Sequence, residues 1–232
     1  MKVAIMQPYF LPYIGYFQLI NAVDVFVVYD DVNYIKKGWI NRNNLLVNGK
    51  GFLFSIPLKN VSQNKFINQI DIDENSGWRT DLLRTIALSY KKAPFFVEVF
   101  PILEDIIGHK ENNLAKLITY SLSKICNFLS IETEIMVSSD IDKNNDLKGQ
   151  DKIIEICKKA KADNYVNAIG GIELYDRDTF IKHDISLHFI KSNTINYPQF
   201  KNEFISWLSI VDVMMFNSQE RIKDLIKQYQ LT

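Results

Sequence analysis

Asp30 and Asp31 stand side by side at the end of a β-branched and aromatic run, and Lys36, Lys37, Trp39, Asn41, Arg42 and Asn43 follow in one short stretch. Adjacent carboxylates near cations can orient an amine, accept a proton or hold a cationic group, and they can equally form a solvated turn. Arg42, between two asparagines, carries a planar fork able to take a carboxylate or a phosphate in two hydrogen bonds. Upstream, the run Gln7-Pro8-Tyr9-Phe10-Leu11-Pro12-Tyr13-Ile14-Gly15-Tyr16-Phe17 mixes prolines with aromatic residues. Phe10, Ile14 and Phe17 read as core. Gln7, Tyr9, Tyr13 and Tyr16 bear polar tips that need partners when buried, and ligand grooves combine such aromatic walls with a few fixed donors and acceptors.

Later residues extend the candidate set. Lys148-Gly149 precedes a helical pattern whose first N–H groups could receive an anion, with ordinary capping as the alternative. Tyr165, Gly170-Gly171 and Tyr175 form a second strand-to-helix corner, and Tyr197-Pro198-Gln199-Phe200 is an aromatic, amide-bearing loop suited to packing or to substrate contact. No nucleophile elbow, phosphate loop or full dinucleotide fingerprint is present. The two cysteines, Cys126 and Cys157, fall in apolar-periodic helical stretches, and the histidines are scattered, so neither a disulfide framework nor a metal site is expected.

The elements that must position these residues follow from hydrophobic period. Val3 to Met6 and Val25 to Tyr29 read as buried strands, with helical spacing over Tyr13 to Ala22 between them. A strand–helix–strand unit of this kind joins parallel strands, so Gln7 and Asp30 are expected to leave the sheet at one edge, where open α/β sheets bind ligands. The prolines stiffen the corner after Met6, and Gly15 allows close backbone approach. Asn48-Gly49 predicts a hairpin turn between Asn44–Val47 and Phe52–Pro57. A further strand is expected at Asn68 to Ile72, after a polar loop at 59–65 that could act as a lid.

Helices are predicted from a Ser76 cap to about Lys91, from Pro94 to about Ile107, and from an Asn112 or Asn113 cap to about Leu129. Strands at Glu134–Val137, Asn164–Asn167 and Ser186–Ile190, a helix at Gln150–Ala160 and a last helix at Ser218–Gln228 restore the alternation. The fold class is therefore α/β, a mostly parallel Rossmann-like sheet with a β-hairpin and a helical insertion at about 75–130, in one domain over 1–232.

Composition sets limits on partners. The 27 basic residues equal the 27 acidic ones in number, so no global field draws the chain to nucleic acid or an anionic membrane. Without a signal-peptide pattern or an apolar run of about 20 residues, a soluble cytoplasmic protein is expected, with no membrane insertion.

The N-terminal run, together with Asp24, Asp30-Asp31-Val32, Lys36-Lys37-Gly38-Trp39-Ile40-Asn41-Arg42-Asn43 and Ile56-Pro57-Leu58, resembles the WbqC-like protein family. Lys148-Gly149, Tyr165, Gly170, Tyr175, Tyr197, Gln199 and Leu208-Ser209-Ile210-Val211-Asp212 extend the resemblance over nearly the whole chain. It implies bacterial surface-polysaccharide or O-antigen biosynthesis, and N-acyl transfer of a glycyl or other aminoacyl group to the amine of a nucleotide-linked amino sugar, dTDP-linked sugars included. On that reading an activated acyl donor is needed and the cofactor is left open. Asp30 or Asp31 orients or deprotonates the amine, Gln7 and Asn41 donate hydrogen bonds, Arg42 or Lys37 holds phosphate, and Tyr9, Tyr13, Tyr16 and Trp39 stack on base or sugar. The N-terminal corner is also weakly similar to the HxGH corner of nucleotidylyltransferases and class I aminoacyl-tRNA synthetases, but the signature histidines are absent. A nucleotidylyltransferase or ligase-like enzyme, and a non-catalytic carbohydrate-binding protein, are the alternatives.

Overall fold

The structure is a computed structural model that describes residues 1–201 and 203–232. Its centre is a six-stranded sheet built from β1 (Lys2–Met6), β2 (Val25–Val28), β7 (Glu134–Val137), β8 (Asn164–Ala168), β9 (Ser186–Ser192) and β10 (Tyr229–Leu231) in the order β10-β9-β8-β1-β2-β7. Every neighbouring pair is parallel except β9 with β10, so the fold is mixed α/β and Rossmann-like. Between these strands lie α1 (Ile14–Asn21), the hairpin β3 (Arg42–Val47) and β4 (Lys50–Ser55), the two-residue pair β5 (Leu58–Lys59) and β6 (Asp71–Ile72), α2 (Trp78–Tyr90), α3 (Phe96–Gly108), α4 (Leu114–Leu129), α5 (Gly149–Lys159), α6 (Arg177–Ile181), α7 (Ile210–Phe216) and α8 (Gln219–Leu225).

Both faces of the sheet are covered, which explains why Val3–Met6 of β1 and Val25–Val28 of β2 run apolar without interruption. Side chains alternate: Ala4, Phe26 and Val28 pack with α1 and the α2–α4 helices, whereas Val3, Ile5, Val25 and Val27 pack with Ile153, Ile156 and Cys157 of α5 and Phe180 of α6. The chain leaves β1 toward β2 and β7, then crosses to β8 and β9 on the other side. This reversal lies between β1 and β8, and crevices for ligands form at strand C-termini at such points.

The Asn48-Gly49 turn has φ of +50° and +73°, the pair of positive values that a tight hairpin needs. Asn113 caps α4 by accepting a hydrogen bond from Lys116 N at 3.2 Å. Two local expectations are corrected. Ser76 lies in a short turn and Gly77, at φ +71°, precedes α2. Only Asp71–Ile72 of the strand expected over 68–72 pairs as a strand, because Gln69 Oε1 accepts from Phe66 N at 3.0 Å and winds residues 67–69 into a turn. Among the described residues no helix is long and apolar enough to cross a membrane.

Candidate functional site

Three distant segments are pinned together just beyond β1. Phe10 N donates to Ile40 O at 2.9 Å, Asn43 Nδ2 donates to Leu11 O at 2.8 Å, Ser209 Oγ donates to the same carbonyl at 2.7 Å, and Ile210 N donates to Pro12 O at 2.8 Å. Phe10 and Leu11 are thereby fully buried, while Tyr9 and Tyr13 on either side of them are only partly buried. Tyr9, Pro12, Tyr13, Trp39, Asn43, Asn44 and Trp207 line a cavity of about 340 Å³. A second cavity of about 180 Å³ shares Tyr13 and Trp207, whose ring centroids are 5.6 Å apart. Ser192, Asn193, Thr194 and Ser206 supply its polar lining, and Ile14, Ile195, Leu208 and Val213 its apolar lining. Among the described residues, no charged side chain lines either cavity. Gly15 permits this closeness, since a Cβ there would overlap the Tyr13 ring and lie 2.7 Å from Ser192 Oγ.

The carboxylates lie elsewhere on the same edge. Tyr29 N donates to Met6 O at 2.8 Å, so Gln7 leaves the sheet beside the Tyr29-Asp30-Asp31 exit. Successive side chains at a strand end point to opposite faces, and the two aspartates diverge accordingly. Asp30 accepts from Ser139 N at 2.9 Å, Ser139 Oγ at 2.7 Å and Asn68 Nδ2 at 3.1 Å, and it borders a separate cavity of about 380 Å³ with Lys116 and Asp140. Asp31 Oδ2 pairs with Lys143 Nζ at 2.9 Å and Lys152 Nζ at 3.0 Å. Burial by itself would raise the Asp31 carboxyl, but Ser138 and the two ammonium groups outweigh it and hold the group below the usual carboxylate range. Ser138 Oγ and Asp31 Oδ1 have no hydrogen-bond partner among the described residues, so the two ammonium groups are the contacts that hold the carboxylate. Lys143 also donates to Ser138 O, and Lys152 donates to Asp31 O at 3.0 Å.

The remaining sequence candidates divide by environment. Tyr16 is buried and donates to Gln7 O at 2.8 Å, and its ring lies 5.5 Å from that of Tyr9. Asn41 bridges Tyr34 Oη at 2.8 Å and Ile56 O at 2.7 Å. Arg42 donates to Gly38 O at 2.8 Å and to Lys37 O, with its guanidinium 5.5 Å from the Trp39 ring centroid, so its fork holds the loop that carries Trp39. Lys36 and Lys37 are exposed on that loop, and Lys148 is exposed at the start of α5. Tyr165 is buried against Phe180 at 5.5 Å with Tyr175 edge-on at 5.7 Å, while Gly170 is exposed with open space around it. Tyr197 Oη at 2.8 Å and Gln199 Nε2 at 2.6 Å both donate to Asp212 Oδ2, and Tyr90 Oη donates to Oδ1 at 3.0 Å. Asp212 has no ammonium or guanidinium partner among the described residues, and burial raises its carboxyl despite these three donors.

The structure thus brings Tyr9, Tyr13, Trp39 and Asn43 to one cavity and Tyr197 to its neighbour, and it places Asp30 and Asp31 outside both. Sequence reasoning did not single out Trp207, Ser192, Ser206, Lys143 or Lys152, and it named Asp212 only within the Leu208–Asp212 segment of the family resemblance. A tryptophan flanked by polar and apolar residues without helical or strand period was the available signal for Trp207. Among the described residues, no group of three or more His, Cys, Asp or Glu side chains could hold a metal ion.

Comparison with known proteins gives a consistent result. Residues 7–224 match the model of the WbqC-like protein family. The chain is also similar to the Uncharacterized protein Rv1507c of Mycobacterium tuberculosis, at 27% identity over 230 residues and covering 97% of each chain. No solved structure matches it significantly.

Proposed function

Because the chain belongs to the WbqC-like protein family, we propose that it transfers an acyl group, glycyl or another aminoacyl, to the amine of a nucleotide-linked amino sugar in surface-polysaccharide assembly. The observation that carries this reading is the uncharged groove of Tyr9, Tyr13, Trp39 and Trp207 with Asn43 and Asn44, since flat aromatic faces and amides bind sugar rings and bases. In the reaction the amine lone pair attacks the activated carbonyl, the new C–N bond forms, the leaving group departs, and the nitrogen gives up a proton. Donors must hold the oxyanion, and a base must take the proton. Gln7 is our candidate donor and Asp30 our candidate base, as groups that leave adjacent strands at the sheet edge that also carries the groove. Asp31, Lys143 and Lys152 brace that edge. We place the activity in the cytoplasm and propose an activated acyl ester or thioester as co-substrate.

A second reading, a glycan-binding protein without turnover, draws on one observation: both aspartates are already engaged by protein partners and neither lines the groove. Incubation of the purified protein with a panel of nucleotide-linked amino sugars and acyl donors, followed by mass spectrometry, separates the two. Trp39 and Trp207 are half to mostly exposed in the groove and Trp78 is buried, so tryptophan fluorescence reports binding in parallel. An acylated sugar is the expected product. Fluorescence quenching without any new mass would favour the binding protein, and neither signal across the panel would refute both.

A further inference from the structure

We infer that the two cavities are consecutive subsites of one ligand, the Trp39 side holding the flat base of a nucleotide and the Ser206 side its hydroxyl-bearing sugar, with Trp207 dividing them. This rests on the proposal that the ligand is a nucleotide-linked sugar. Trp207 and Tyr13 belong to both linings, so the cavities are two sides of one aromatic wall. The indole is 70% exposed, yet its backbone sits at φ +62°, a region that bulky residues adopt only when their surroundings impose it. Those surroundings are visible: Leu208 is buried, and Ser209 N donates to Asn44 O at 2.9 Å. The ring is therefore presented to solvent from a fixed segment.

The free polar groups differ between the two sides. On the Trp39 side the Asn43 amide is consumed, donating to Leu11 O and accepting from Asn44 N, whereas the Asn44 side chain has no hydrogen-bond partner among the described residues. One amide beside aromatic faces suits a base edge, which offers a donor and an acceptor in one plane. On the other side, Ser192, Asn193, Thr194 and Ser206 make no side-chain hydrogen bonds among the described residues, and they rim an apolar floor. Several small donor–acceptor groups over an apolar surface match a pyranose, whose hydroxyls radiate from a C–H face. Neither lining holds a cation among the described residues, so the charged diphosphate belongs to neither subsite and falls at the wall between them, which Tyr13 and Trp207 share.

Calorimetric titration tests the assignment, with UDP, GDP and dTDP each offered alone and as the glucose conjugate. Ser192→Ala with Ser206→Ala should weaken the conjugate by about tenfold and leave the free nucleotide within about twofold, two lost hydrogen bonds being of that size. Trp39→Ala should weaken both ligands by the same factor. Both changes touch partly or wholly exposed side chains, and circular dichroism verifies folding. If the double serine variant weakens nucleotide and conjugate equally, or weakens neither, the subsite assignment is wrong although a nucleotide binds. If the parent protein binds none of the six ligands, the nucleotide-linked ligand itself is wrong.

Discussion

Asp31→Asn is expected to unfold this protein far more readily than the loss of either lysine it contacts. Among the described residues, Asp31 is the one carboxylate within ion-pair distance of both Lys143 and Lys152, whose side chains are 1% and 7% exposed. Replacing it by the neutral amide leaves two ammonium groups buried with no counter-charge. Removing one partner of a buried ion pair costs roughly 3–5 kcal/mol, and two stranded cations place this case toward the upper end. For a chain of this length each kcal/mol lowers the melting temperature by about 2–4 °C, giving a drop on the order of 10–20 °C. Lys143→Met or Lys152→Met instead leaves one cation with one anion, so each should cost only ~1 kcal/mol through its lost hydrogen bond to a carbonyl. The pH dependence has a definite sign. The folded carboxyl is held below its ordinary value, so its stabilisation is fully present above the unfolded carboxyl's pKa of about 3.9 and is lost as pH falls through the lower folded value. Calorimetric melts of the parent and the three variants between neutral and acid pH measure all of this. If Asp31→Asn melts within about 2 °C of the parent, or if a single lysine replacement is equally damaging, the balance of two ammonium groups against one carboxylate is refuted.

Three further outcomes are expected. Arg42→Lys should keep the fold but loosen residues 36–40, since an ammonium cannot span Gly38 O and Lys37 O as the fork does; faster amide exchange there, with Trp39 fluorescence shifted to the red, is the readout. Burial raises the Asp212 carboxyl above its ordinary value, so its contribution is present at acid pH and lost as pH rises through the raised value; Asp212→Asn should remove that part of the stability–pH curve. Burial pushes both Cys126 and Cys157 up to about 12, so neither should react with a thiol reagent at neutral pH until the protein is denatured, when both should.

Elements with a local period were readable from the chain, and elements defined by tertiary contact were not. The β1–α1–β2 unit, β7 and the Asn48-Gly49 hairpin carry their own signals in residue type and spacing. α7 carries none, because Ile210 to Phe216 is buried all round and so shows no polar stripe. β10 is three residues long and exists through its pairing with β9. At the site the same division holds. Tyr9, Tyr13, Trp39 and Asn43 were candidates by type, but Trp207 joins them through the Ser209 hydrogen bond to Leu11, far away in sequence. Lys143 lies in a stretch of polar residues that reads as a solvated loop, and Lys152 sits in a helix where lysine is normally exposed, so their burial could be learned only from the folded chain.

The divergence of Asp30 and Asp31 has a consequence for how the protein comes apart. Asp30 fastens the strand exit to Ser139 and to Asn68, which itself accepts from Asn113 Nδ2 at 2.8 Å at the head of α4; Asp31 fastens it to Lys152 of α5 on the opposite layer. One dipeptide is thus a stitch through the sheet, joining the layers on its two faces. Partial opening of either layer strains the same peptide unit, so the two should exchange their amide hydrogens as a single cooperative block and not as separately melting halves.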